Sequence, residues 1–143
     1  MTAVLLLYFG LLYRDERILN RLEDRIAQAA ATLAPNQRVI SAIDDPGLRV
    51  NAITHMIDRA CVGHCYSYAN YEPSTAQFRI RVSGESPLVA ATYIDSWQLQ
   101  TGRYVVRPRD LPLFQIDLDP SGNMVVRPLE AGKVCGATYY SFL

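Results

Sequence analysis

The sequence predicts an α/β domain: three layers, a mostly parallel sheet of about five or six strands, a C-terminal antiparallel β-hairpin and a long N-terminal helix. Three observations predict it. Apolar segments with strand and helix periodicity alternate along residues 38–106. A Gly-containing four-residue loop, Asp119 to Gly122, separates two apolar runs near the C-terminus. The 143 residues, half of them apolar and a fifth charged, suffice for one packed core and exclude a disordered or collagen-like chain.

Ala3 to Tyr13 is an uninterrupted apolar run, followed at once by Arg14-Asp15-Glu16-Arg17. Ile18, Leu22, Ile26, Ala29 and Leu33 then recur at three- and four-residue steps, the mark of an amphipathic helix, and Pro35-Asn36 stops it. Two readings of the apolar run compete. Residues 3–9 form a buried strand ahead of a helix over 14–34, or residues 1–13 form the outer end of a membrane helix that continues into water. Leu-rich content with Val4 as the sole β-branched residue of the run favours helix. The run is far shorter than the roughly 20 residues a span needs. No basic residue precedes it and no small-x-small cleavage site follows it, unlike a signal peptide. The expected organisation is therefore residues 1–13 as an apolar segment, and 14–143 as a single α/β domain.

Arg38 to Ile43 reads as a strand, and Asp45-Pro46 as the cap and first residue of a helix carrying Ile53, Met56, Ile57 and Ala60 on one face. His64 to Tyr68 is a short aromatic strand, 70–75 a loop, and Gln77 to Val82 a strictly alternating strand. Ser86-Pro87 opens a second helix with Leu88, Ala91, Ile94 and Trp97 on one face, ending near Gly102, and Arg103 to Val106 is the next strand. The hairpin over 113–118 and 123–127 closes the domain, with Pro108, Pro112 and Pro128 at strand ends, where proline is tolerated.

Charge narrows the function. Fourteen basic residues, all Arg except Lys133, balance fourteen acidic ones. A nucleic-acid partner is not expected, because such binding rests on a basic excess. In open α/β sheets ligands gather at the carboxyl ends of parallel strands. That places Asp44, Asn70, Tyr71, Glu72 and Glu85 as ligand-binding candidates, whereas Asp45 and Ser86 serve as helix caps. Tyr68 joins the candidates because Tyr66, Tyr68 and Tyr71 offer flat faces and hydroxyls suited to a sugar or peptide. Cys61, His64, Cys65 and Cys135 are disulfide or metal candidates. Their spacing is not that of a paired zinc knuckle, and Cys61–Cys65, Cys61–Cys135, Cys65–Cys135 and plain buried thiols all remain open. No nucleophile elbow, phosphate loop or dinucleotide fingerprint occurs, so no cofactor is expected and no motif assigns a catalytic residue.

The stretch RVISAIDDPGLRVNAITHMIDRACVGHCYSYANYEPSTAQFRIR, with DSWQLQTGRYVVRPRDLPLFQIDL after it, resembles the C-terminal soluble region of bacterial multi-spanning membrane proteins that are similar in layout to lipid-linked sugar transferases. The resemblance covers nearly the whole chain and aligns residues 1–13 with the end of the last membrane helix. It implies an extracytoplasmic accessory or binding domain, associated with a glycan or lipid-linked sugar and inactive alone. In the transferases themselves, chemistry uses acidic residues in loops between membrane helices that this chain lacks. Two other expectations stand beside it: a small soluble enzyme using Asp44, Tyr71 and Glu72, and a zinc-stabilised interaction module using the three cysteines and His64.

Overall fold

The computed structural model describes residues 2–41, 43, 56–68, 71–72, 77–78, 93–100 and 103–135. The first element, α1 (Thr2–Ala31), is a single helix of 30 residues, about 45 Å long at 1.5 Å per residue. This sets aside the strand reading of residues 3–9. Leu-rich residues lose little rotamer freedom in a helix. The helix ends where Thr32 turns back, its hydroxyl and amide both donating to the Ala29 carbonyl, at 2.7 and 3.1 Å. Asn36 then takes a left-handed conformation with φ of 65° and donates its amide to the His64 carbonyl at 2.7 Å. The Pro35-Asn36 stop thus also joins α1 to the turn around His64.

The main sheet contains β1 (Arg38–Ser41), β2 (Tyr66–Ser67), β6 (Leu113–Leu118) and β7 (Met124–Pro128), in the order β2-β1-β6-β7. β1 runs parallel to both neighbours, pairing Val39 with Ser67 and with Phe114, whereas β7 runs antiparallel to β6 and pairs Val126 with Ile116. The predicted hairpin is present, its turn closed by Asp119, whose carboxylate accepts the amides of Ser121 and Asn123 at 2.8 Å each. Gly122 supplies the positive φ of 78° that this turn requires.

Side chains alternate across a strand, so neighbouring β1 residues serve opposite faces. Val39 and Ile43 face one core with Ile116, Leu22, Ile26 and Ala30 of α1, and Met56 and Ile57 of α2 (Met56–Ala60). Ile40 and Leu113 belong to the other core, with Leu99 of α3 (Tyr93–Gln100), Tyr104, Val106 and Cys135. Complete burial of Ile26 or Ile57 contributes roughly 1.5–3 kcal/mol each, which docks α1 and α2 on their face.

The alternation misleads at three places. Arg103 to Val106 reads as the next strand of the main sheet, yet β5 (Tyr104–Val105) pairs antiparallel with β8 (Val134–Cys135) in a separate ribbon. The turn at 131–132 brings the tail back, where the Val106 amide donates to the Lys133 carbonyl and that of Gly132 to the Val106 carbonyl. Residues 70–75 read as a loop, yet β3 (Tyr71–Glu72) pairs antiparallel with β4 (Gln77–Phe78). On α3, Ile94 was expected on the packed face but is exposed, and among the described side chains Asp95 and Leu99, one turn apart, are buried. A polar residue at that position hides the face from a hydrophobic reading.

Candidate functional site

The cap predicted at Asp45-Pro46 lies outside the described residues, as do Asp44, Asn70 and Glu85. Tyr71 and Glu72 occupy β3, across from Phe78 and Gln77. Of the ligand candidates, Tyr68 is described to its side chain, and it leads to a buried polar cluster centred on Asp110.

Tyr68 follows β2 and is buried beneath the second core. Its hydroxyl donates to Oδ1 of Asp110, a fully buried carboxylate at the end of the short 3-10 turn Pro108–Asp110. Tyr104 of β5 donates its hydroxyl to Oδ2 of the same group at 2.6 Å, and the Arg107 amide donates to Oδ2 at 2.7 Å. The two rings meet edge to face with centroids 6.4 Å apart. Two segments distant in sequence, Tyr68 and residues 104–110, thus converge on one carboxylate.

The electrostatics follow from this geometry. Burial pushes the Asp110 carboxyl up, but hydrogen bonds from Tyr104, Tyr68 and the Arg107 amide, with the charge of Arg109, bring it below the ordinary carboxylate range. Burial and the hydrogen bond to Asp110 push Tyr104 up to about 12 and raise Tyr68 as well, so both stay protonated donors. The Arg109 Nε lies 3.9 Å from Oδ1. An ionised carboxylate has about four lone-pair sites, and three here hold hydrogen bonds in a buried setting. Asp110 has little capacity left to take a proton from a substrate, and the cluster acts as a tie between segments.

Arg107 forms the cluster's outer edge. Its guanidinium lies 5.4 Å from the Tyr104 ring centroid and donates to Oδ1 of Asp95 on α3 at 2.8 Å. A second carboxylate on the same face of the sheet, Asp117 of β6, accepts Arg127 of β7 at 2.6 Å and the Gln115 side-chain amide at 3.1 Å.

The cysteine and histidine candidates do not converge. Cys61 and Cys65 are joined by a disulfide across the end of α2, with Cα atoms 4.5 Å apart, in the first core. His64 lies between them in sequence and places Nε2 3.0 Å from the Leu33 carbonyl. Cys135 is a buried free thiol in the second core, donating to the Tyr104 carbonyl at 3.3 Å. Burial pushes that thiol up to about 11, which keeps it protonated. Among the described residues, no group of three or more His, Cys, Asp or Glu side chains is placed to hold a metal ion.

Asp110, Tyr104 and Arg107 were not among the sequence candidates. Arg-Pro-Arg-Asp at 107–110 reads as a solvated turn, and nothing local signals that its last residue is buried. The available clue is an apolar run, Tyr104 to Val106, bounded by Arg103 and Arg107, whose tyrosine hydroxyl needs a partner if the ring is buried.

The other distinctive region is the start of α1. Val4, Leu5, Leu6, Leu7, Tyr8, Phe9, Leu12 and Tyr13 are all exposed, Val4 and Leu6 at about 70%. Among the described residues, no helix is long and apolar enough to cross a membrane. No family model matches the chain, and no curated protein or solved structure matches it either.

Proposed function

We propose that the chain is a membrane-tethered accessory or binding domain working outside the cytoplasm. The observation that carries this reading is the exposed first third of α1. Residues 3–13 cover about 16 Å of helix, close to half of a hydrocarbon core roughly 30 Å thick. They are apolar around their circumference, exposed except for the half-buried Leu11, and outside both buried cores. A helix apolar all round calls for an apolar surround, and a bilayer supplies one on every side. Tyr8 and Tyr13 then lie toward the water interface, where aromatic rings are favoured. The Cys61–Cys65 disulfide favours an oxidising compartment such as the periplasm. It also takes two of the four ligands on which a zinc-bound reading depends.

In this reading the partner is a glycan or lipid-linked sugar, as the resemblance to the soluble region of lipid-linked sugar transferase-like membrane proteins implies. The polar cluster supports an accessory role, because its carboxylate and tyrosines hold one another instead of facing a substrate.

Vesicle flotation tests the tether. The full chain is expected to float with phosphatidylcholine vesicles, and a Leu6→Glu, Phe9→Glu variant to stay behind with an unchanged circular dichroism spectrum. A wild-type chain that remains soluble, monomeric and unbound overturns the proposal. A lipid-linked sugar incorporated in the same vesicles is expected to increase the bound fraction; no increase removes the sugar partner and leaves the tether standing.

A further inference from the structure

The arginines that follow the apolar segment have no role in either core or in the Asp110 cluster. At about 100° per residue, Arg14, Arg17 and Arg21 fall within about 60° of arc on one side of α1. All three are exposed. The Arg17 guanidinium lies 5.6 Å from the Tyr13 ring centroid, and Arg14 meets Asp15 at 3.2 Å in an exposed pair of the kind that contributes little. The next arginine of the row, Arg25, donates to the Gly122 carbonyl and so ties the helix to the hairpin turn.

Three of the four acidic residues of this stretch lie off this side. Asp15 and Glu23 are half-buried toward the packed side, and Glu23 pairs with Arg59 at 3.0 Å. Glu16 lies about 130° around the helix from the arginine row, and Asp24 falls on the arginine side, about 5 Å beyond Arg21 along the axis. Residues 14–25 therefore have no net charge but possess a basic edge. Charges are screened beyond about 8 Å at physiological salt, and a helix is about 10–12 Å thick. A flat anionic surface approached from the arginine side meets chiefly the arginines.

We propose that Arg14, Arg17 and Arg21 form a basic edge that rests on the phosphate-bearing headgroups of an anionic bilayer, so that α1 enters the membrane tilted toward that edge. The inference rests on the tether reading above. A second copy or a single partner helix would need only an apolar stripe, whereas residues 3–13 are apolar all round. Guanidinium groups match phosphate oxygens bidentately. The tilt follows from length. Arg21 lies about 10 Å beyond Arg14 along the axis, more than the roughly 5–8 Å depth of one headgroup layer, so it reaches phosphate only if the helix leans.

Sedimentation of the full chain with phosphatidylcholine vesicles and with mixed phosphatidylcholine–phosphatidylglycerol vesicles tests the proposal. Each arginine near an anionic surface is expected to contribute about fivefold in affinity. Arg21→Gln should weaken binding to the mixed vesicles about fivefold, and the triple R14Q/R17Q/R21Q variant about a hundredfold. Binding to neutral vesicles should not change, and Lys133→Gln should match wild type on both. Equal wild-type binding to the two vesicle types, or a triple variant that loses nothing, overturns the basic edge while the tether stands. An Arg21→Gln variant with undiminished binding overturns the tilt. Failure to bind either vesicle overturns the tether and the inference with it.

Discussion

Asp110 shows how a single buried charge is made tolerable. Its desolvation is offset by two tyrosine hydroxyls and one backbone amide, each donating to a carboxylate oxygen. Asp110→Asn keeps the shape but turns an NH2 donor toward groups that also donate. The expected loss is about 3 kcal/mol of stability, read from urea unfolding. The pH dependence has a definite sign. The folded-state pKa of Asp110 lies below its unfolded value, so its stabilisation is present above the ordinary carboxylate range and is lost as pH falls through the folded value. Asp110→Asn should therefore show a shallower acid limb than wild type. An equally steep limb would assign acid sensitivity to other carboxylates. Tyr104 gives the opposite case. Its pKa rises from 10.0 to about 12, so its contribution is intact below the unfolded value and fades as pH climbs toward the folded one. In Tyr104→Phe, the stability lost by wild type across that alkaline window should shrink, as measured by denaturant midpoints at a series of pH values.

At the scale of elements, α1 and α2 were legible because their packed faces follow the helical period. Leu22, Ile26 and Ala29 on α1, and Met56 and Ile57 on α2, are buried as the spacing implies. The Cys61–Cys65 link was one of several pairings the sequence allowed. Its geometry depends on α2 ending at Ala60 and on the turn that follows, where Gly63 takes a φ of 75°. It closes a very short loop, so the chain-entropy model assigns it only about 2 kcal/mol. Thiol titration in denaturant is expected to find one reactive thiol, Cys135, without reductant and all three with it. Reduction should lower Tm by roughly 5 °C. The misread elements are short strands. The two-residue runs at 71–72 and 104–105 carry almost no periodicity, so their partners are chosen by whichever segment returns alongside.

For the whole molecule, the packed core and the exposed apolar surface fall in different parts of one helix. Residues beyond 18 build the first core, while residues 3–13 contribute nothing to it. Polar substitution within 3–13 is accordingly expected to leave Tm within about 1 °C of wild type, because exposed positions away from caps and cores rarely shift stability by more than a few tenths of a kcal/mol. A marked loss of Tm in differential scanning calorimetry would show that the segment packs on the domain. The candidate site was less legible than the fold. Tyr68 was found for its ring and hydroxyl, but the residues that give it a role lie 36 and 42 positions further on, at Tyr104 and Asp110.

The sequence by itself determined the α/β class, the helical N-terminus, the β6–β7 hairpin and the charge balance, because each is written in local periodicity, turn chemistry or composition. Tertiary structure alone decided that Asp110 is the hub of a buried network, that β5 leaves the main sheet for β8, and that Cys61 pairs with Cys65 and not with Cys135. Local pattern records which face of a segment prefers to be buried. It does not record which distant segment arrives to cover that face, and burial of a charge depends wholly on that arrival.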